Sequence, residues 1–392
     1  MNAAEKPVLK PANDNPWYWL ATLYGDSRLN HDIELKNRFA WNRWFATALS
    51  TEQLKELLSK VFLEWDYRRG FSQWDIRPLN STEAAELAIA FTARSGRKDQ
   101  SLPNPNSEVD FSRTIFDSNV RLSEFLFPNG ADFTSATFSK EADFSSAMFL
   151  EKANFESATF SGIAYFQSAT FSGHANFKSV TFSSHIDFVN SEFTAKTIFA
   201  NAHFNSEVPD FRGAKLHEAT EWHDVRWPSA PRDKTSAQKQ VYAYERLKQE
   251  MERLKKHEDE LFFFRKELRA RRELLPFWRA ARWLDCLYKA LSDYGQSASR
   301  PLYLLCGSFL LVSAVFAWVP CITGTSMTIL HAASLSFASI FLIFPIHNEI
   351  MTPHVFSTLS SLGKIIVVVE AFFGTLLLFL LGVALRNRFR MR

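Results

Sequence analysis

The chain has 392 residues, 46% of them hydrophobic and 15% aromatic, which is enough material for two to four domains. Its 45 Lys and Arg nearly cancel its 42 Asp and Glu, so a nucleic-acid or acidic-substrate role for the whole chain has no electrostatic support. The three cysteines, Cys286, Cys306 and Cys321, imply no disulfide framework, and the polar stretch Met1 to Pro16 lacks the apolar core of a secretory signal.

Residues 17 to 95 are rich in Trp and charge and predict helices, as in "ELKNRFAWNRWFATALS" and "TEQLKELLSKVFLEWDYRR". Ser50 is placed to cap the second of these, with Gln53 as its reciprocal partner. Trp17, Trp19, Trp41, Trp44, Trp65 and Trp74 are expected to pack within a helical domain rather than to stack on bases. A polar linker from Ser95 to Ser107 ends this region, which gives a first domain over 1–107.

A fixed beat of phenylalanine follows: Phe133, Phe138, Phe144, Phe149, Phe155, Phe160, Phe166, Phe171, Phe177 and Phe182, continuing to Phe204. Steps of five and six alternate, and a small residue, usually Ala, stands two positions before most rings. The beat begins near Phe111 and, after a one-residue slip at Glu207 to Pro209, resumes through Phe211, Leu216, Trp222 and Trp227. A helix needs apolar spacing of about 3.6 and a strand spacing of about 2, so the chain must turn a corner about every five residues. Rings then stack in columns inside a solenoid over 108–228, with polar residues outward. Some five coils about 4.8 Å apart give a rod on the order of 25 Å long. Between Val109 and Val208 there are 11 acidic and 6 basic residues, a mildly acidic and solvated face. His174, His185 and His203 are spaced too widely for a metal site.

"ADFTSATFSKE ADFSSAMFLEK ANFESATFSGI AYFQSATFSGH ANFKSVTFSSH" resembles the pentapeptide-repeat family in an eleven-residue variant. That resemblance implies a right-handed quadrilateral β-helix with two units per coil of about 22 residues. It also admits DNA mimicry, which the acid excess weakly allows and a membrane anchor opposes, so nucleic acid is not the expected partner.

Residues 229–276 predict a helical connector: Tyr244, Leu247, Met251, Leu254, Leu261 and Leu268 recur at three-to-four spacing, broken by Glu258 and Arg265. His257 to Glu260 reads as an acid-rich helix start rather than a metal cluster. Within 277–392, Phe277 to Tyr294 is amphipathic and basic and is expected to lie along a membrane surface. Leu302 to Val319 and Ile365 to Leu385 predict two transmembrane spans. Basic clusters before the first and after the second place both ends in the cytoplasm and the loop His347 to Gly363 outside. The apolar stretch Ser326 to Ile346, diluted by serines, is expected to be re-entrant, with a third full span as the alternative.

This layout, with "LYKALSDYGQSASRPLYLL" and "VVEAFFGTLLLFLLGVALRNRFR", resembles an ion-channel-like domain of two spans. The resemblance implies a homo-oligomeric pore, with Glu370, Gly374, Ser334, Ser336 and Ser339 as pore or gating candidates. Phe344 to Glu349 stands where a potassium-type filter would need glycine, so potassium selectivity is not implied. No nucleophile and base, phosphate loop or ligand cluster occurs at usable spacing, and no catalytic, cofactor or metal site is expected. The chain thus reads as a multidomain inner-membrane protein: a cytoplasmic solenoid flanked by helices, able to bind or sense a protein partner, joined to a lipid-embedded helical domain. The second reading is a non-conducting, membrane-tethered scaffold.

Overall fold

The computed structural model describes residues 8–26, 30–63, 76–229, 231, 233–319, 328–341, 350 and 359–390. The chain divides into two units, Met1–Ala270 and Arg271–Arg392. The division falls inside a helix, a few residues before the boundary drawn at 276.

The first unit is a β-solenoid. Four sheets of two- or three-residue parallel strands run along it, containing six, five, four and four strands. Paired strands are one coil apart in sequence, as in Ala153 with Ala175 and Phe160 with Phe182, a separation of 22 residues. About four turns are regular. One more turn is held by isolated bridges, Asp187 to Asp210 and Glu192 to Lys215 among them, at a separation of 23. The extra residue is the slip near Glu207.

The rings form four columns. Phe133, Phe155 and Phe177 make one; Phe138, Phe160 and Phe182 a second; Phe144 and Phe166 a third; Phe149 and Phe171 a fourth. Centroids within a column lie 4.5 to 5.0 Å apart with nearly parallel planes. Neighbouring columns meet edge to face, as Phe155 does with Phe166 at 5.5 Å and 90°. The coil spacing imposes the stacking, and the edge-to-face contacts across the axis suit the ring quadrupoles. All ten rings are buried, each contributing roughly 1.5 to 3 kcal/mol. Glu156 and Gln167 are half-buried and Lys178 is exposed.

Every second corner is built the same way. Ser135, Ser146, Ser157, Ser168, Ser179, Asn190 and Asn201 all have φ near 57°, the third residue of a turn whose fourth N–H returns to the Phe carbonyl, as Ala158 does to Phe155 at 3.0 Å. Left-handed backbone costs a non-glycine residue about 1 to 2 kcal/mol. The cost is offset at Ser157, whose N–H donates to Lys178 of the next coil at 2.9 Å. Asn176 and Asn154 add a side-chain ladder, with Asn176 Nδ2 donating to Asn154 Oδ1 at 2.9 Å and Asn154 Nδ2 to Asp132 Oδ1 at 3.2 Å.

Helices close both ends of the coil. α1 (Pro16–Ala21), α2 (His31–Ala46), α3 (Thr51–Leu63) and α4 (Ser81–Ser95) precede it. Ser50 and Gln53 bond reciprocally at the start of α3. Trp41 packs on Phe125 and Phe127 of the first coil and donates Nε1–H to the Leu126 carbonyl at 2.8 Å. Lys10–Pro11 pairs with Thr114–Ile115 as an extra strand. The 1–107 region therefore shares one core with the rod. Trp17, Trp19 and Trp44 pack against that core as well; Trp65 and Trp74 lie outside the described residues.

At the other end α5 (Lys234–Arg253) and α6 (His257–Leu274) are joined by a left-handed residue, Lys255. Lys248 Nζ reaches Glu267 at 2.6 Å across the pair. Trp222 stacks on Phe199, Trp227 tilts against Phe204, and the two meet Phe263 and Tyr244 edge to face. Glu250, Arg253 and Lys256 bond the backbone of Leu216 and Thr220. The connector is a helical cap.

The second unit holds α7 (Ala280–Ser292), α8 (Ser299–Trp318), α9 (Ile329–Ile340) and α10 (Ser361–Arg390). The last three pack on one another. α8 and α10 are long and apolar enough to cross a membrane, whereas α9 is shorter. The predicted filter position, Phe344 to Glu349, and the His347 to Gly363 loop up to residue 358, save residue 350, lie outside the described residues, as does Cys321.

Candidate functional site

Four of the five candidates in the second unit come together where α9 meets α10. Glu370 is buried on α10, and its Oε1 accepts a hydrogen bond from Ser336 Oγ at 2.5 Å. Ser336 also lies 3.4 Å from the Phe309 carbonyl of α8. Ser339, one turn on, is buried and faces the same carboxyl group while bonding the Leu335 carbonyl at 2.9 Å. Gly374 is the point of closest approach: a Cβ there would stand 2.8 Å from the Ile340 Cα. The glycine permits close packing, and α10 continues unbroken through it. Ser334 stands apart, its hydroxyl turned back to the His331 carbonyl at 2.9 Å.

Glu370 Oε2 and Ser313 Oγ are buried without a hydrogen-bond partner. Ser313 was not among the residues singled out from sequence. One more serine in an apolar α8 carries no pattern, and its relevance comes from lying one turn from Phe309 on the packed face.

α7 presents the opposite chemistry. Trp283, Leu284 and Leu287 are exposed on it, with Phe277 and Trp278 exposed just before. Its end is fastened inside the unit: Tyr294 Oη bonds Asp285 at 3.0 Å and Asn387 Nδ2 donates to the Gly295 carbonyl at 2.9 Å.

On the solenoid the charged side chains pair between coils, as in Lys178 with Glu156 at 3.1 Å and Lys196 with Glu221 at 2.6 Å. His185 lies 2.9 Å from Glu207, and His257 lies 3.0 Å from Glu260. Burial and the nearby Lys152 and Lys196 hold His174 below the usual histidine range. Among the described residues no group of three or more His, Cys, Asp or Glu is gathered for a metal. A polar cleft of about 410 Å³ opens where the slipped coil meets α5, lined by Ser183, Asn205, Glu207, Ser236 and Lys239.

Residues 155–202, the middle of the ring columns, match the family model described as pentapeptide repeats (9 copies). The solenoid carries pentapeptide repeats. The match takes in six of the ten named core rings and three of their continuations, from Phe155 through Phe199, and leaves the flanking helices outside it. No curated protein and no solved structure matches the chain.

Proposed function

We propose that this is a membrane-anchored pentapeptide-repeat protein in which a capped rod binds or senses a protein partner and α8 to α10 form a two-span, channel-like module. The observation that carries this reading is the α8, α9 and α10 arrangement. At 20 and 29 residues, α8 and the apolar part of α10 reach the bilayer thickness of about 30 Å, whereas the 12 residues of α9 span only about 18 Å. A short helix packed against two longer apolar ones fits a re-entrant layout. The exposed apolar face of α7, beside Arg279 and Lys289, suits the headgroup boundary of an anionic inner leaflet. On this reading the rod takes the family's right-handed quadrilateral form, with its rings consumed by the core and its outward polar faces left for a partner.

A non-conducting scaffold is the second reading. The burial of Glu370 against Ser336 of its own chain favours it, since a carboxylate occupied within the chain does not face a shared axis.

Single cysteines test the topology in a background lacking the native three. Position 328, at the start of α9, is expected to react with an impermeant maleimide from outside, and position 389, at the end of α10, only after lysis. External reaction at 389 would establish three spans.

A further inference from the structure

The interior of the second unit is layered. Phe316, Ala332, Leu335 and Val367 close one apolar cluster, and Leu305, Ile340 and Leu377 close another. Between these two clusters along each helix, the chain places oxygen: the Phe309 carbonyl and Ser313 hydroxyl on α8, Ser336 and Ser339 on α9, and the Glu370 carboxyl group on α10.

Glu370 is 5% exposed and Ser313 7%. Each keeps one oxygen without a partner, Oε2 of the first and Oγ of the second. A buried carboxylate met only by hydroxyl groups is costly, and more so at membrane depth. A proton would neutralise the carboxyl group but engage only one of its oxygens. A cation would engage both oxygens at once. The donors are all hard oxygens, which select alkali and alkaline-earth ions over softer metals. One carboxylate matches one positive charge, whereas calcium sites gather several.

We propose that this layer is a binding site for a sodium-class alkali cation, held by the Glu370 carboxylate with the hydroxyls of Ser336 and Ser313. It rests on the membrane reading of α8 and α10. Bound there, the ion would tie the three helices together, so occupancy and packing of the module would be coupled.

The test uses the full chain in detergent and N,N′-dicyclohexylcarbodiimide, which modifies carboxyl groups in apolar surroundings, with the modified peptide read by mass spectrometry. Sodium chloride is compared with choline chloride at one pH and ionic strength. Glu370 is expected to be modified in choline and protected in sodium, with the rate falling about tenfold at saturation as occupancy rises. Ser336→Ala and Ser313→Ala should each raise the sodium concentration for half-protection about tenfold, the loss of one oxygen contact. Glu370→Gln should remove both the modification and the sodium-dependent rise in Tm. Where that variant fails to fold, the two serine variants decide. Equal modification in sodium and choline would overturn the site in favour of a proton-only carboxyl group, and so would absence of modification in both. Carbonate extraction of membranes judges the membrane reading separately. A carbonate-resistant chain with sodium-insensitive labelling sinks the cation site alone, whereas a chain released by carbonate sinks the membrane reading.

Discussion

A phenyl ring in the solenoid has neighbours on every side. Phe166 stacks between Phe144 and Phe188 at 5.0 and 5.1 Å and meets Phe155, Phe160 and Phe177 edge to face. Phe166→Ala removes the middle of a column that the backbone ladder prevents from collapsing, and it should cost roughly 3 to 5 kcal/mol. Chemical denaturation of wild type, Phe166→Ala and Gln167→Ala checks this; an alanine at 166 no worse than one at 167 would contradict the ring columns as the source of stability. The ring positions were legible because spacing alone decides them. The left-handed serines at the corners were not, since a serine facing outward and a serine holding φ near 57° look alike in sequence. The Glu370 to Ser336 pair, 34 residues apart, likewise has no local signal. Glu370 is the one acid within the predicted span Ile365 to Leu385, but its partner depends on where α9 packs.

Short coils need ends, and the flanking helices supply them. The 1–107 region reads from sequence as a separate helical domain because its Trp residues contact rings some 85 positions away. No pattern within the helices reveals that. The Glu83 end of α4 shows how tightly this cap is fastened. Its carboxylate completes a capping box with Asn80 and pairs with Arg43 at 2.6 Å and Arg77 at 2.9 Å. The Arg43 hydrogen bond, followed by the Asn80 backbone, pulls its pKa from 4.5 down to about 2. A carboxyl group depressed in the folded state stabilises above its unfolded pKa and loses that contribution as pH falls through the folded one. The contribution of Glu83 should therefore be complete above about pH 4.5 and gone near pH 2. Urea titrations across that range should show wild type losing stability that Glu83→Gln lacks at every pH. Parallel pH curves for the two proteins would remove Glu83 from the acid response.

At the scale of the molecule the two units use apolar residues in opposite directions. The solenoid buries its rings, whereas α8 and α10 turn Leu310, Leu311, Phe372 and Phe379 outward. Two spanning helices per chain cannot enclose an axis, so a pore would require several copies, and an anchor would require none. The glycines of α10 separate these outcomes. A Cβ on Gly374 would strike the Ile340 backbone inside the chain, but one on Gly382 would meet nothing within 4 Å. Gly374→Ala should therefore loosen the packing of α9 in every copy and lower Tm. Gly382→Leu should leave Tm near wild type and act only on a neighbour that approaches along that face, as small residues allow in membranes. Light scattering of the full chain in detergent is expected to give a defined oligomer for wild type and a smaller species for Gly382→Leu. A monomeric wild type would favour the scaffold, because a single copy has no second face to complete a passage.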